Sequence, residues 1–224
     1  MNVKITPLAA GLLLLLSCYD PRQRGVHLFR YNEVNGIASL DPAFAKSQSV
    51  MWTAHQLFNT LVEIDDSLRI VPSIARSWEL SPDRRVITFH LRSDVRFHDD
   101  KVFPGGKGRY LNASDVAYSF SRIIDKRIAS PGAWIFNRKV DTLLPFEAPD
   151  DTTFRIRLLR PYPPILGILS MQYCSIVPRE AVEGYGSGFR RHPVGTGPFR
   201  LAAWEEGQAL VLKRNAHYFE CDES

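Results

Sequence analysis

Apolar residues along this chain recur in two rhythms, and the switches between them mark out the elements. Over residues 45–59 the positions Val50, Met51, Ala54, Leu57, Phe58 and, just beyond, Leu61 repeat at helical spacing, which predicts an amphipathic helix. A second helix is predicted after Asn112-Ala113-Ser114-Asp115, an N-cap residue followed by an acidic third position. It buries Val116, Ala117, Phe120, Ile123 and Ile124 on one face. A short helix is predicted over 161–170, with Pro163 and Pro164 tolerated in its first turn.

Strict alternation appears in between. Ile87, Phe89 and Leu91 face one side of a strand and Thr88, His90 and Arg92 the other, with Val95 and Phe97 repeating the pattern in a next strand, so a β-meander is predicted from Trp78 onward. Hairpins are predicted across 65–67, 148–152 and 205–207, a short helical turn over 72–76, and an exposed glycine-rich loop over 104–110. Residues 26–31 predict a central strand, followed by a loop punctuated by Asn35-Gly36 and Asp41-Pro42. The sum is an α+β (mixed α/β) chain rich in hairpins.

Residues 1–17 stand apart from that pattern. Lys4 supplies a positive start, and the apolar run over 8–16 is shorter than the ~20 residues a membrane-spanning helix needs, but suits the core of a secretory signal. The signal ends Leu15-Leu16-Ser17-Cys18, which resembles the bacterial lipobox, where cleavage precedes the cysteine and lipid is attached to its sulfur. That resemblance implies lipidation of Cys18, a linker over 18–25, and a membrane held by the lipid anchor, since acyl chains contribute about 0.8 kcal/mol per buried CH₂.

Charge and cysteine usage narrow the function classes. The formal net charge is only +4, and the densest basic cluster, Arg190-Arg191-His192, is far short of a nucleic-acid footprint, so nucleic acid is not expected as a partner. Cys174 sits in an apolar stretch and reads as a small buried hydrophobe, and Cys221 lies in a polar tail, so a bridge between them is the weaker reading. No Cys/His spacing suits zinc, and His98-Asp99-Asp100 reads as a turn before a metal site. There is no Gly-x-Ser-x-Gly elbow. Gly105-Gly106-Lys107-Gly108 lacks P-loop spacing, and Gly195-x-Gly197 leads into Pro198 and a strand, not a helix.

The text from Ala75 to Asp100 carries more than periodicity: Trp78, Ser81-Pro82-Asp83, Thr88-Phe89-His90-Leu91-Arg92 and Asp94-Val95-Arg96-Phe97-His98-Asp99-Asp100. With Ser39-Leu40-Asp41-Pro42, the opening of the second helix at Asn112, and Val194-Gly195-Thr196-Gly197-Pro198-Phe199, it resembles family 5 of the bacterial extracellular solute-binding proteins, which serve ABC importers of peptides and nickel. Read bottom-up, Trp78, Phe89 and Phe97 are core residues and Ser81-Pro82-Asp83 is a turn, so the signature marks the fold and not the binding site.

The resemblance implies a periplasmic binding protein-like type II fold, of which this chain supplies the first lobe only, the second lobe being absent. Residues 44–181 would form the β-rich smaller subdomain, and 26–43 with 182–224 incomplete parts of the main one. It implies a monomeric, non-enzymatic receptor outside the cytoplasm that needs no cofactor and delivers peptides to a permease and its ATPase. The rival readings are the same fold carrying nickel or another metal chelate, a surface hydrolase, and a structural lipoprotein or fragment that binds nothing.

The ligand-facing positions implied are Asn35, Gly36, Ile37 and Ala38, then the 130–134 segment with Trp134, and Thr196 between Gly195 and Gly197. Each has an architectural alternative: Asn35-Gly36 as a turn, Trp134 as a packed aromatic, and the glycines as permitting an awkward backbone path beside Pro198. The pattern departs at Gly132, where peptide binders of the family can place an aromatic residue directly after Ser-Pro.

Overall fold

The computed structural model describes residues 28–220. The signal segment, Cys18, the 18–25 linker, Val26, His27 and Cys221 lie outside the described residues. The chain divides into two units, 1–34 and 35–224. Of the first, the described residues 28–34 form no strand, and Leu28, Phe29, Tyr31 and Val34 are exposed. The strand predicted over 26–31 is therefore not found in its described part. Apolar spacing can favour an extended chain, but a strand exists only where a neighbouring ladder takes up its backbone groups.

In the second unit, a 3₁₀ turn at Pro42–Phe44 leads to helix α1, Gln48–Leu57. This helix is shorter than predicted, because Ser47 and Phe58 at its ends are extended. Strands β1 (Val62–Ile64) and β2 (Ile70–Pro72) form the predicted hairpin. The helical turn expected over 72–76 is replaced by the start of strand β3, Ala75–Leu80, whose first amide donates to Leu61 O.

Strands β3 and β4 (Val86–Leu91) close across a tight turn in which Ser81 Oγ donates to Asp83. The predicted meander stops there. β4 pairs next with β6 (Thr153–Arg157), which pairs with β5 (Phe146–Asp150), giving an antiparallel sheet in the order β3-β4-β6-β5. Residues near Val95 and Phe97 contribute only an isolated bridge, Arg96 to Tyr110. Ile87, Phe89 and Leu91 are buried as the alternation required, but Trp78 is only partly buried against the core.

Helix α2 spans Ala113–Ile124 and begins as predicted. Asn112 Oδ1 accepts from the Ser114 and Asp115 amides, and Asp115 Oδ2 accepts from the Asn112 amide, a reciprocal cap. Its buried face meets the sheet through aromatic rings. Phe120 lies 5.1 Å from Phe136, 5.6 Å from Phe146 and 5.4 Å from Phe154 between ring centres. Full burial of each such side chain contributes roughly 1.5–3 kcal/mol, so this cluster holds helix and sheet together.

The segment predicted as a helix over 161–170 contains α3, Ile165–Ile168, a single turn. Helix α4, Arg179–Tyr185, was not foreseen, and the subdomain boundary read from the sequence falls inside it. Arg109 ties it to α2, binding Asp115 at 2.7 Å and Glu180 at 2.7 Å. The last hairpin, β7 (Phe199–Glu205) with β8 (Ala209–Arg214), turns at Gly207, whose φ of 76° suits a residue without a side chain.

Candidate functional site

The segment 35–41 is exposed on its outer side and held on its inner side. Gly36, at φ 66°, offers its carbonyl to Ser49 Oγ on α1 (3.1 Å), and Ala38 offers its carbonyl to Arg190 Nη1 (3.2 Å). Ile37 packs against the core, and the Leu40 amide donates to Arg190 O. Among the described residues, the amides of Gly36, Ile37 and Ala38 have no acceptor. A surface run of backbone donors on a fixed scaffold can pair with an extended ligand backbone.

Asp41 ends this segment in a buried ion pair. Its carboxylate caps the Pro42–Phe44 turn through the Ala43 amide (3.0 Å) and receives Arg122 of α2 at 2.8 and 3.3 Å. Both side chains are 9% exposed. Among the described residues, Arg122 Nε is a buried donor without a partner, a loss of roughly 1–3 kcal/mol that the bidentate pair must offset. Nothing in the hydrophobic pattern signalled this pair.

Trp134 lies on the 3₁₀ turn Pro131–Ile135 and is half exposed, with Lys139 Nζ 5.5 Å above its ring. The preceding Ser130 donates to Ala43 O and accepts from the Gly132 amide, which docks the turn beside Pro42–Phe44. Gly132 is required by packing: a Cβ there would lie 2.7 Å from the Tyr173 ring.

Thr196 occupies a different setting. It is buried, its hydroxyl donates to Asn59 Oδ1 (3.0 Å), and it points into the protein. Its neighbours cross the backbone at the end of α1. A Cβ on Gly195 would sit 2.0 Å from Leu57 O, and one on Gly197 would sit 2.5 Å from Leu57 C. Close approach, and not an unusual φ, is why glycine stands at both positions.

His98 seals this crossing. It is 5% exposed, its Nδ1 accepts from the Gly195 amide (3.3 Å), and its Nε2 lies 2.9 Å from Gly197 O. Those partners require the neutral ring with the proton on Nε2, and burial pushes its pKa down to about 4. The turn expected at His98-Asp99-Asp100 begins only at Asp100, and among the described residues no cluster of His, Cys, Asp or Glu could hold a metal ion. Cys174 is fully buried, and burial pushes its thiol pKa up.

A concave surface lies beside this crossing. A cleft of about 340 Å³ is bounded by His98, Asp100, Arg191, Arg200 and Trp204, and a smaller one of about 110 Å³ adjoins it at Asp99 and Arg200. None of the residues expected to face a ligand lines either cleft.

The match to known proteins fits this architecture. Residues 69–223 match the family model described as bacterial extracellular solute-binding proteins, family 5, middle. The chain belongs to this solute-binding family. The dipeptide-binding protein of Escherichia coli is 32% identical over 172 residues, covering 70% of this chain and 31% of that protein.

Among solved structures, the ABC transporter-associated periplasmic binding protein DppA of Helicobacter pylori, in complex with the peptide STSA, superposes with a TM-score of 0.72 at 32% identity. The match covers 82% of this chain and 38% of that one. The binding protein MoaA of A. tumefaciens, in complex with mannopinic acid, gives 0.72 at 33%, covering 82% and 36%. The chain thus spans less than half the length of these relatives. Its mixed α/β architecture is that of periplasmic binding proteins, and family and fold are those of solute-binding proteins rather than enzymes.

Proposed function

We propose that this chain is the first-lobe portion of an exported lipoprotein, anchored through Cys18, that binds peptides outside the cytoplasm. It works as a monomer and hands its solute to an ABC permease and its ATPase. Residues 44–181 act as the smaller subdomain, and 26–43 with 182–224 belong to the main one. One observation carries the reading: the amides of Gly36, Ile37 and Ala38, which have no acceptor among the described residues, on a segment fixed by Ser49 and Arg190. An extended peptide adds there as a strand, with affinity from main-chain hydrogen bonds that ignore its side chains. Asn35 begins this edge, the exposed Trp134 indole offers a flat apolar platform, and Thr196 contributes by holding the crossing at Asn59.

Capture follows from closure of two lobes around the solute, a hinge motion with no bond broken. The test is the melting temperature of the full-length gene product with a panel of di- and tripeptides, a nickel–histidine chelate and mannopinic acid. Stabilisation that rises with peptide concentration is expected. Stabilisation by the chelate alone, or hydrolysis of the peptides, overturns the reading. The likeness to a relative in complex with mannopinic acid favours a second reading, a non-peptide organic acid, which a response to that arm alone selects. Replacing Cys18 with Ser should move the protein from the membrane fraction to the soluble one, and unchanged membrane residence refutes the anchor.

A further inference from the structure

Three stretches far apart in sequence meet at the guanidinium of Arg122. On one side it grips Asp41 with two nitrogens, at 2.8 and 3.3 Å. On another its Cζ lies 5.6 Å over the ring of Phe189, itself buried. Phe189 precedes Arg190, whose carbonyl takes the Leu40 amide (2.9 Å) and whose Nη1 reaches Ala38 O (3.2 Å). The third stretch is α2, which carries Arg122 in its last turn.

The cost of this arrangement shows in the Nε, a buried donor left without a partner among the described residues. A buried ion pair is often no more stable than apolar residues of equal volume, but its planar two-point geometry fixes direction as packing alone does not.

We infer that Arg122 is a positioning residue for the solute-contacting segment, acting through Asp41 to set the backbone of residues 35–40 against the 3₁₀ helix Gly186–Arg191, which carries Phe189 and Arg190. The inference rests on the function proposed above. Arg122 itself is buried and acts through its neighbours. It places Leu40 and Ala38, and through them the amides of Gly36 to Ala38, which have no acceptor among the described residues.

Position and stability separate in a double variant. Removing one partner strands the other as a buried charge, whereas Asp41→Asn with Arg122→Met removes both charges and leaves the Asn oxygen to cap Ala43. In the full-length gene product, Asp41→Asn alone and Arg122→Met alone should each lower the urea midpoint, and the double variant should recover most of that loss. Hydrogen exchange without ligand should nevertheless stay about tenfold faster than native at the Leu40 amide in the double variant, while α2 amides remain protected. Arg122→Lys, which keeps the charge but not the fork, should give an intermediate rate.

Affinity for dialanine and trialanine, measured by calorimetry, should fall at least about tenfold in the double variant, equivalent to about 1.4 kcal/mol. Native exchange at Leu40 in the double variant, or native affinity despite faster exchange, overturns the inference. Absence of binding by the native protein, with the exchange result intact, sinks the functional proposal and leaves the positional role of Arg122 standing.

Discussion

Acidification should destabilise this protein between neutrality and pH 5 through one side chain, His98. In the folded state its pKa is pushed down to about 4 from an ordinary 6.5, because burial penalises the charged ring by more than the hydrogen bond to the Gly197 carbonyl favours it, and Nδ1 already accepts from the Gly195 amide. Protonating Nδ1 would turn a donor against a donor. Since the folded value lies below the unfolded one, the unfolded chain binds the extra proton. The contribution is therefore complete above about pH 6.5, is lost as pH falls through the window, and levels off near pH 4.

Between pH 7 and pH 5 those two values give a loss of about 2 kcal/mol, a lower urea midpoint at an unchanged slope. Carboxylates held low, such as Asp125 at about 2 beside Arg127, lose their contribution only below about pH 4, outside that window. Urea unfolding of the native protein and of His98→Gln at pH 7, 6 and 5 isolates the effect. The variant should be less stable at pH 7 but nearly flat across the window. Equal pH slopes in the two proteins would refute the burial argument for His98.

Further predictions follow from packing and caps. Gly195→Ala places a Cβ 2.0 Å from Leu57 O, where only backbone can yield, and should cost more than about 3 kcal/mol by urea unfolding; Gly207→Ala, with open space but φ 76°, should cost about 1–2 kcal/mol. Asn112→Ala removes the cap of α2 and should cost about 1 kcal/mol, read as a lower melting temperature and faster exchange in the first turn of that helix. Phe120→Ala empties the centre of the aromatic cluster and should cost roughly 3–5 kcal/mol, with loss of near-ultraviolet dichroism if the sheet–helix contact fails.

The site was legible in part. Ser39-Leu40-Asp41-Pro42 and the glycines of Val194 to Phe199 stood out as motifs, yet their roles came from partners that no local pattern names. Asp41 looked like a turn residue and is half of a buried ion pair with Arg122, 81 positions away. Thr196 was expected to face a ligand and is turned onto Asn59. His98 reads locally as a turn residue, and its burial depends on Gly195 and Gly197 arriving from the far end of the chain.

Local chemistry was decided by the sequence alone. The cap at Asn112, the buried face of α2, the alternation of Ile87, Phe89 and Leu91, and the hairpin turns at 65–67 and 205–207 depend on neighbours within a few positions, so short-range pattern determines them. Tertiary structure decided which strands pair, and so placed β6 rather than the 95–97 stretch beside β4. It also decided whether residues 28–31 become a strand, and which polar groups are buried together. A strand's hydrogen-bonding edge and a charge's partner are supplied from elsewhere in the chain, so those outcomes belong to the folded whole.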